Sequence, residues 1–238
     1  MSKGIILLIP EKTDPEFEEI FAAWAHSGRE IRRLGKYWVK DEELAKNNIA
    51  IYGNQAFALV LAQIYDVELI SPDDTLIVRL EKEWTKRNIQ LMKISQLTEN
   101  DFPAFVKPAI PKIFLAGVFK TLLDFTQQTN GLQDKEEILV SDVIEGIQAE
   151  ARSFIKEGVV ADFAFYEGSG DLATGKQFVS NFIDKNKDKL PSVVVIDLAF
   201  SEQVGWFILE FNACWGAGLN GCKAENVIDC IIGATINK

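Results

Sequence analysis

Residues 193–212 consist of two apolar runs and a short polar link, VVVIDLAF (193–200), SEQVG (201–205) and WFILEFN (206–212). Two such runs joined by a link that ends in glycine are typical of a β-hairpin. Side chains alternate between the faces of a strand, and a turn centred on the link places Asp197 opposite Glu210, with Asn212 on the same face. The sequence therefore predicts a hairpin whose other face packs on a core through Ile196, Leu198, Phe207, Leu209 and Phe211.

Two carboxylates, those of Asp197 and Glu210, are expected on the polar face of this hairpin at about 5 Å between Cβ atoms. Carboxylates this close repel each other unless a cation lies between them. Oxygen ligands suit Mg²⁺, which keeps several waters and takes substrate phosphates as further ligands. The alternative is the solvated face of an edge hairpin, but acids inside apolar runs are uncommon and usually paired. We therefore predict that Asp197, Glu210 and Asn212 hold Mg²⁺.

The composition restricts the class of protein. Of 238 residues, 47% are hydrophobic and 25% charged, which excludes disorder and low complexity, and the length allows one large domain or two small ones. With 25 Lys and Arg against 35 Asp and Glu, the net charge is -10. Such a chain is a poor general binder of nucleic acid or of an anionic membrane. No apolar run approaches the roughly 20 residues that span a bilayer.

The cysteines and the histidine exclude further kinds of site. Cys214, Cys222 and Cys230 are odd in number, and His26 is the single histidine. A disulfide framework is therefore not expected, and a reducing cytoplasm is the expected location. The chain has few residues that could form a zinc site of His and Cys or a catalytic triad that uses histidine.

The chain is expected to change character along its length. The first third alternates strand-like and helix-like stretches, with a strand at 5–9 and a helix that begins after Asp14, and this favours an α/β layer with a partly parallel sheet. A polar turn at 71–74 is expected to form a boundary, and 76–97 is predicted as a helix. From about residue 102 onwards, most of the predicted elements are strands.

Two lysines are candidates for binding phosphate. Lys107 lies in the apolar run AFVKP (104–108), where it suits a point-charge phosphate ligand. Lys112 follows five residues later, and the small Ala116-Gly117 pair allows backbone N–H groups to approach an anion. The alternative interpretation is that both are ordinary surface lysines.

A third element combines a strand end with a charged pair. The predicted strand 137–140 leads into SDVIEG (141–146). A chain that leaves a sheet exposes backbone donors and acceptors, and these can form hydrogen bonds with the edge of an adenine base. Glu150 and Arg152 are two residues apart and share a face of the next predicted strand. An ion pair on the surface is an equally good interpretation of these two residues.

Together these residues resemble the ATP-grasp superfamily of carboxylate–amine ligases and, within it, the arginine-to-lysine clade. The most specific part is LEFNACWGAGLNGC (209–222). The resemblance implies an α/β (α+β) fold in which two α/β lobes clamp a nucleotide, preceded by a small α/β pre-grasp domain. It divides the chain into residues 1–75 for the pre-grasp domain and 76–238 for the ATP-grasp domain, with lobe one at about 76–141 and lobe two at about 142–238.

The resemblance also implies ATP and Mg²⁺ as cofactors and a role for each candidate residue. It implies that Asp197, Glu210 and Asn212 bind the metal, and that the nucleotide is bound by Lys107 at its phosphates, by Glu150 at its ribose and by Val140, Ser141, Asp142 and Val143 at its adenine. Lys112 would belong to the segment that covers the phosphates. Arg152, facing substrate or phosphate, and Lys107 would have catalytic roles.

The implied function is that of an ATP- and Mg²⁺-dependent ligase. It would form an amide or peptide bond through an acylphosphate, from a small-molecule or peptide carboxylate and an amine. A nucleotide-binding regulatory or sensor module without ligase turnover is the alternative. A structural α/β protein with an incidental acidic hairpin is a third interpretation, which the pattern of Asp197, Glu210 and Asn212 disfavours.

Overall fold

The computed structural model describes residues 4–12, 14–110 and 113–238. The helices are α1 (Pro15–His26), α2 (Gln55–Tyr65), α3 (Lys82–Thr85), α4 (Leu122–Gln128), α5 (Leu172–Asn186) and α6 (Ala224–Gly233). The strands are β1 (Ile5–Pro10), β2 (Ile31–Leu34), β3 (Asn48–Ile51), β4 (Val67–Leu69), β5 (Ile89–Lys93), β6 (Ala104–Pro108), β7 (Gly117–Phe119), β8 (Glu137–Ser141), β9 (Ile147–Lys156), β10 (Val159–Gly168), β11 (Val193–Ser201), β12 (Gly205–Asn212) and β13 (Thr235–Asn237).

The chain forms two compact units. The first unit comprises Met1–Pro72, Ala149–Leu198 and Glu210–Lys238, and the second comprises Asp73–Gln148 and Ala199–Leu209. The separate pre-grasp domain expected for residues 1–75, and the two lobes expected at about 76–141 and 142–238, stay predictions. None of the described helices is long and apolar enough to cross a membrane.

A parallel sheet of order β2-β1-β3 lies in the first unit. The central strand is buried on both sides, with Leu7, Leu8 and Ile9 fully inaccessible, as expected for a parallel strand covered on both faces. The helix that follows begins as predicted, with Asp14 accepting a hydrogen bond from the backbone of Glu16 at 3.0 Å. The prediction of a partly parallel first layer is therefore confirmed.

A large hydrophobic core of the first unit joins the parallel layer to later parts of the chain. Ile20 and Trp24 of α1 are fully buried in it, and so are Cys230 of α6 and Cys214, which follows β12. Val195 of β11 belongs to the same core. The segment that carries the candidate metal ligands is therefore fixed to the parallel layer by burial of apolar surface, the largest favourable contribution to folding.

The predicted hairpin is present. Strands β11 and β12 are hydrogen-bonded neighbours in a sheet of order β10-β9-β11-β12. Strand β9 pairs antiparallel with β10 across a tight turn at Glu157 and Gly158, both with positive φ. Such a two-residue turn has the twist that suits a hairpin.

The second unit contains an antiparallel sheet of order β5-β8-β6-β7. Val106, Phe125 and Val140 lie in its core. The predicted helix over 76–97 is wrong, because the structure has a short 3₁₀ turn at Leu76–Arg79, the four-residue α3 and then β5. Helix α3 ends at Thr85, and the left-handed conformation of the next residue, Lys86, turns the chain towards the strand.

Candidate functional site

The most buried part of the candidate site is an ion pair between Arg152 of β9 and Asp197 of β11, which are 8% and 3% exposed. Nε of Arg152 donates to Oδ1 at 2.7 Å, Nη2 donates to Oδ2 at 2.6 Å, and Nη1 donates to the carbonyl oxygen of Gly218 at 2.8 Å. These bonds use three of the five N–H donors of the guanidinium. The contact is bidentate, the strong form of an arginine–carboxylate pair. A solvated acidic face is therefore wrong for Asp197.

The amide of Asn212 connects the two carboxylates predicted to ligate metal. Its Nδ2 donates to Asp197 Oδ2 and to Glu210 Oε1, at 3.0 Å in each case. A nitrogen with partial positive charge thus lies between two carboxylates, where a cation is favoured. Rotation of the amide exchanges its nitrogen for its oxygen, and carboxylate and amide oxygens are ligands for hard cations such as Mg²⁺. The chemistry of these three side chains fits a magnesium ion.

The electrostatics of this centre also favour a cation. Burial raises the pKa of Asp197, and the charges of Glu210 and Glu150 raise it further, although Arg152 acts in the opposite direction. Burial lowers the pKa of Arg152, but its hydrogen bonds to Asp197 and the negative charge of Asp197 give a net increase. One guanidinium therefore faces several carboxylates, and a divalent cation would reduce their mutual repulsion.

A metal at this centre depends on Asn212 and on oxygen atoms from outside the chain. Among residues 4–12, 14–110 and 113–238, no group of three or more His, Cys, Asp and Glu side chains could hold a metal ion. Mg²⁺ commonly binds through one or two carboxylates, with waters and substrate phosphates completing its coordination. This requirement agrees with a site that works together with a phosphate-bearing ligand.

Glu150, the predicted ribose ligand, contacts a tyrosine that the sequence analysis missed. Tyr166 of β10 donates its hydroxyl to Glu150 Oε2 at 2.7 Å, and its ring centre lies 6.0 Å from the guanidinium carbon of Arg152. Since Arg152 pairs with Asp197, the interpretation as a surface ion pair with Glu150 is wrong. The register set by the Glu157-Gly158 turn would place Phe165 opposite Glu150. The structure shifts this register twice, between Val160 and Asp162 and between Phe165 and Glu167, so no local signal places Tyr166 beside Glu150.

The loop after Asn212 is held by contacts within the first unit. Tyr52 donates its hydroxyl to the carbonyl oxygen of Ala217 at 3.0 Å, and the backbone N–H of Asn220 donates to Glu16 at 3.1 Å. Gly221 has a φ of +82°, and a Cβ there would lie 2.8 Å from the carbonyl oxygen of Phe165. Only glycine fits this position without a shift of the backbone. The loop therefore has a defined path beside the carboxylates.

Lys107 lies on the face of the second unit's sheet that is turned away from its core. The register pairs Lys107 with Leu139 and Phe105 with Ser141, whereas the intervening Val106 belongs to the core. Cross-strand partners share a face, so Lys107, Leu139, Phe105 and Ser141 lie together on this second face, and the pair of Lys93 and Glu137 lies further along it. Leu139 and Ser141 are buried on this face, so Lys107 lies beside a largely apolar environment.

The segment predicted to hold adenine begins at the end of β8. The hydroxyl of Ser141 is buried and has no hydrogen-bond partner among the described residues. Asp142 is exposed and accepts hydrogen bonds from the backbone and the amide of Asn88, at 3.0 and 2.7 Å. A buried hydroxyl without a partner is costly, so Ser141 fits a site whose ligand supplies that partner. The side chain of Val140 belongs to the core instead.

Two groups of candidate residues result. Asp197, Glu210, Asn212, Glu150 and Arg152 lie together in the first unit, and Lys107 lies with the segment 140–143 in the second. Lys112, predicted in the phosphate-covering segment, lies outside the described residues.

Solved structures share this fold. The chain is similar to D-alanine–D-alanine ligase from Bacillus anthracis complexed with ATP (13% identity, TM-score 0.61, 98% of this chain and 97% of that one). It is also similar to an L-amino acid ligase from Bacillus licheniformis (10% identity, TM-score 0.63, 100% of this chain and 77% of that one). A third similar structure is a RimK domain ATP-grasp protein from Sphaerobacter thermophilus (11% identity, TM-score 0.59, 96% of this chain and 100% of that one). No curated protein matches the chain.

The family comparison covers more than half of the chain. Residues 84–230 match the family described as ATP-grasp domain, arginine-to-lysine clade family 2. The matched range contains Lys107, Glu150 and the hairpin with Asp197 and Glu210. The chain therefore has the ATP-grasp fold and belongs to the arginine-to-lysine clade of ATP-grasp domain proteins.

Proposed function

We propose that this protein is an ATP- and Mg²⁺-dependent carboxylate–amine ligase. In the first step the γ-phosphoryl group of ATP passes to a substrate carboxylate, which gives an acylphosphate and ADP. An amine then attacks the acyl carbon, phosphate leaves, and the nitrogen loses a proton as the amide forms. The observation that carries the proposal is the convergence of Asp197 and Glu210 on the amide of Asn212, in a chain of the ATP-grasp family.

The proposal assigns distinct work to the residues described above. Asp197, Glu210 and Asn212 would hold Mg²⁺, which when bound neutralises phosphate charge and orients the phosphoryl group. Lys107 would bind nucleotide phosphate as a point charge. Ser141, Asp142 and Val143 would contact adenine, with Val140 supporting them from the core, and Glu150 would bind ribose. Arg152 would offer its remaining N–H donors to phosphoryl oxygens.

The named relatives support the ligase chemistry by analogy of fold. The structures similar to this chain include ligases that act on D-alanine and on L-amino acids, and a macrocyclase bound to a precursor peptide. A carboxylate and an amine on small molecules or peptides are therefore the proposed substrates. Positioning and charge neutralisation account for catalysis without a covalent nucleophile.

Glu210→Gln tests the metal assignment. The amide keeps the size of the side chain but loses its charge, so we expect weaker Mg²⁺ binding and a decrease of about 10²- to 10³-fold in ADP release. Mg²⁺ affinity is measured by calorimetry with a non-hydrolysable ATP analogue, and ADP release by a coupled assay with amino acids, small peptides and polyamines.

The matched control is Glu202→Gln, which removes the charge of an exposed glutamate in the turn of the same hairpin. We expect this control to behave as the unmodified protein. If Glu210→Gln folds and retains full Mg²⁺ affinity and ADP release, the metal assignment is wrong.

A nucleotide-binding regulatory or sensor module is the second candidate. It is favoured by the bidentate contact of Arg152 with Asp197, which engages a predicted catalytic arginine and a predicted metal ligand with each other. This candidate predicts Mg²⁺-dependent ATP binding in calorimetry, with no ADP release in the presence of any carboxylate and amine of the panel.

A further inference from the structure

Arg87 is a buried cation whose hydrogen bonds go to the backbone. The residue is 9% exposed, and its Nη1 donates to the carbonyl oxygens of Thr85 at 3.2 Å and Ile208 at 3.0 Å. Its Nη2 donates to the carbonyl oxygen of Leu209 at 3.3 Å, and its guanidinium carbon lies 5.4 Å from the ring centre of Phe207. All these residues belong to the second unit.

Burial of a cation beside neutral carbonyl groups is costly, so this arrangement requires an explanation. Burial lowers the pKa of Arg87 to about 10, against the opposing charge of Asp142. A neutral side chain would fill the same space without this cost. What arginine supplies is a rigid, planar set of donors that binds three carbonyl oxygens at fixed directions, with additional stabilisation from the aromatic ring of Phe207.

Two of the three acceptors, the carbonyl oxygens of Ile208 and Leu209, lie in the strand that leads to Glu210. The carbonyl group of Leu209 belongs to the peptide bond whose nitrogen is that of Glu210. The backbone hydrogen bonds of a strand have a fixed pattern, so the orientation of its peptide groups sets the direction of the strand. A side chain that binds the carbonyl groups of both Ile208 and Leu209 therefore fixes the direction of the backbone at these two residues. That direction determines where the side chain of Glu210 points.

We propose that Arg87 is a positioning residue for the metal site, which orients Glu210 through the Leu209–Glu210 peptide bond. The inference rests on the proposed function, in which Glu210 ligates Mg²⁺. Arg87 itself contacts neither the metal nor the nucleotide in this proposal. Groups that orient metal ligands typically change metal affinity by about 10- to 100-fold when they are removed, and this is the effect assigned to Arg87.

The experiment is a titration of the full chain with Mn²⁺, followed by electron paramagnetic resonance, in the presence of a non-hydrolysable ATP analogue. We expect Arg87→Met to weaken Mn²⁺ binding by about 10- to 100-fold. Arg87→Lys, which retains the charge but not the planar set of donors, should lie between Arg87→Met and the unmodified protein. Arg79→Met is the matched control, since Arg79 makes an exposed ion pair with Asp73 in the same unit.

A purely structural arginine gives a different pattern. It would lower the melting temperature of the metal-free protein but leave the Mn²⁺ dissociation constant of the folded protein unchanged. Equal Mn²⁺ affinity in the Arg87 variants, the control and the unmodified protein therefore overturns the positioning role of Arg87 but not the proposed function. If Arg87→Met does not fold, Arg87→Lys decides by the same criterion. An unmodified protein that binds no Mn²⁺ overturns the proposed function and this inference with it.

Discussion

The contact between Arg152 and Asp197 shows what a single residue can and cannot reveal in a sequence. Asp197 is recognisable because it is an acid inside an apolar run, and Glu210 and Asn212 because they follow at the right spacing. The partner of Asp197 is not recognisable, since Arg152 lies 45 residues earlier. The two meet because β9 and β11 are neighbours in the sheet. Strand order depends on tertiary packing, so the family resemblance implied a substrate- or phosphate-facing arginine, and the ion pair with Asp197 was not predicted.

Removal of Arg152 should expose the electrostatic role of the pair. Arg152→Met leaves the buried carboxylate of Asp197 without its cation, and breaking such a pair costs about 3–5 kcal/mol. We expect the free energy of unfolding of the metal-free protein to fall by this amount in urea titrations. Added Mg²⁺ should restore part of the loss, because the metal brings positive charge to the same carboxylates.

Arg32→Met is the control for this prediction. Arg32 pairs with Glu30 and Asp41 in the first unit, but its side chain is 37% exposed. Exposed pairs contribute about 0–1 kcal/mol. If Arg152→Met loses no more stability than Arg32→Met, the buried pair does not hold the site together.

At the scale of the element, the sequence is informative where local signals and burial agree. Helix α1 begins at Pro15, directly after its N-cap Asp14, and the hairpin of β11 and β12 has the expected apolar runs. In the stretch 76–97 the two disagree. Its apolar and charged residues are compatible with a helix, yet Ile89–Lys93 pairs with β8. Pairing with a distant strand overrides local propensity, and no local pattern indicates that partner.

The strand β13 illustrates how an element is held at an edge. Strand β3 lies at one edge of the parallel sheet, and Asn237 accepts from the backbone N–H of Ile49 at 2.8 Å and donates to its carbonyl oxygen at 2.9 Å. Thr235 accepts from the N–H of Ile51 at 3.1 Å. Side chains of β13 thus replace the backbone partners that an edge strand lacks.

Asn237→Leu should therefore destabilise the first unit. It leaves the N–H and carbonyl groups of the buried Ile49 unpaired, at a cost of about 1–3 kcal/mol. Asn237→Asp keeps the acceptor but loses the donor, so an intermediate loss is expected. The measurement is the free energy of unfolding in urea. Asn181→Leu, at an exposed position of α5, is the control, and an equal effect in the two leucine variants would contradict this role of Asn237.

At the scale of the whole molecule, the sequence was sufficient to identify the fold and the family but not the substrates. The stretch LEFNACWGAGLNGC (209–222) carries the resemblance to the ATP-grasp superfamily, and the family match over residues 84–230 confirms it. A carboxylate or amine substrate is recognised by pocket shape and by a few polar groups brought together by folding, and these leave no fixed spacing in the chain. A screen of substrates is therefore informative where further sequence analysis is not.

The net charge of the molecule leads to the last prediction. A chain with a net charge of -10 repels a free triphosphate, so ATP should bind well only with Mg²⁺, which reduces its negative charge. At a ligand concentration 100 times Kd, binding stabilises the folded state by about 2.7 kcal/mol, which raises the melting temperature by about 5–10 °C in a chain of this size. We expect this shift with ATP and Mg²⁺, and a much smaller one with ATP and a chelator. Equal shifts in the two conditions would contradict a metal-dependent nucleotide site.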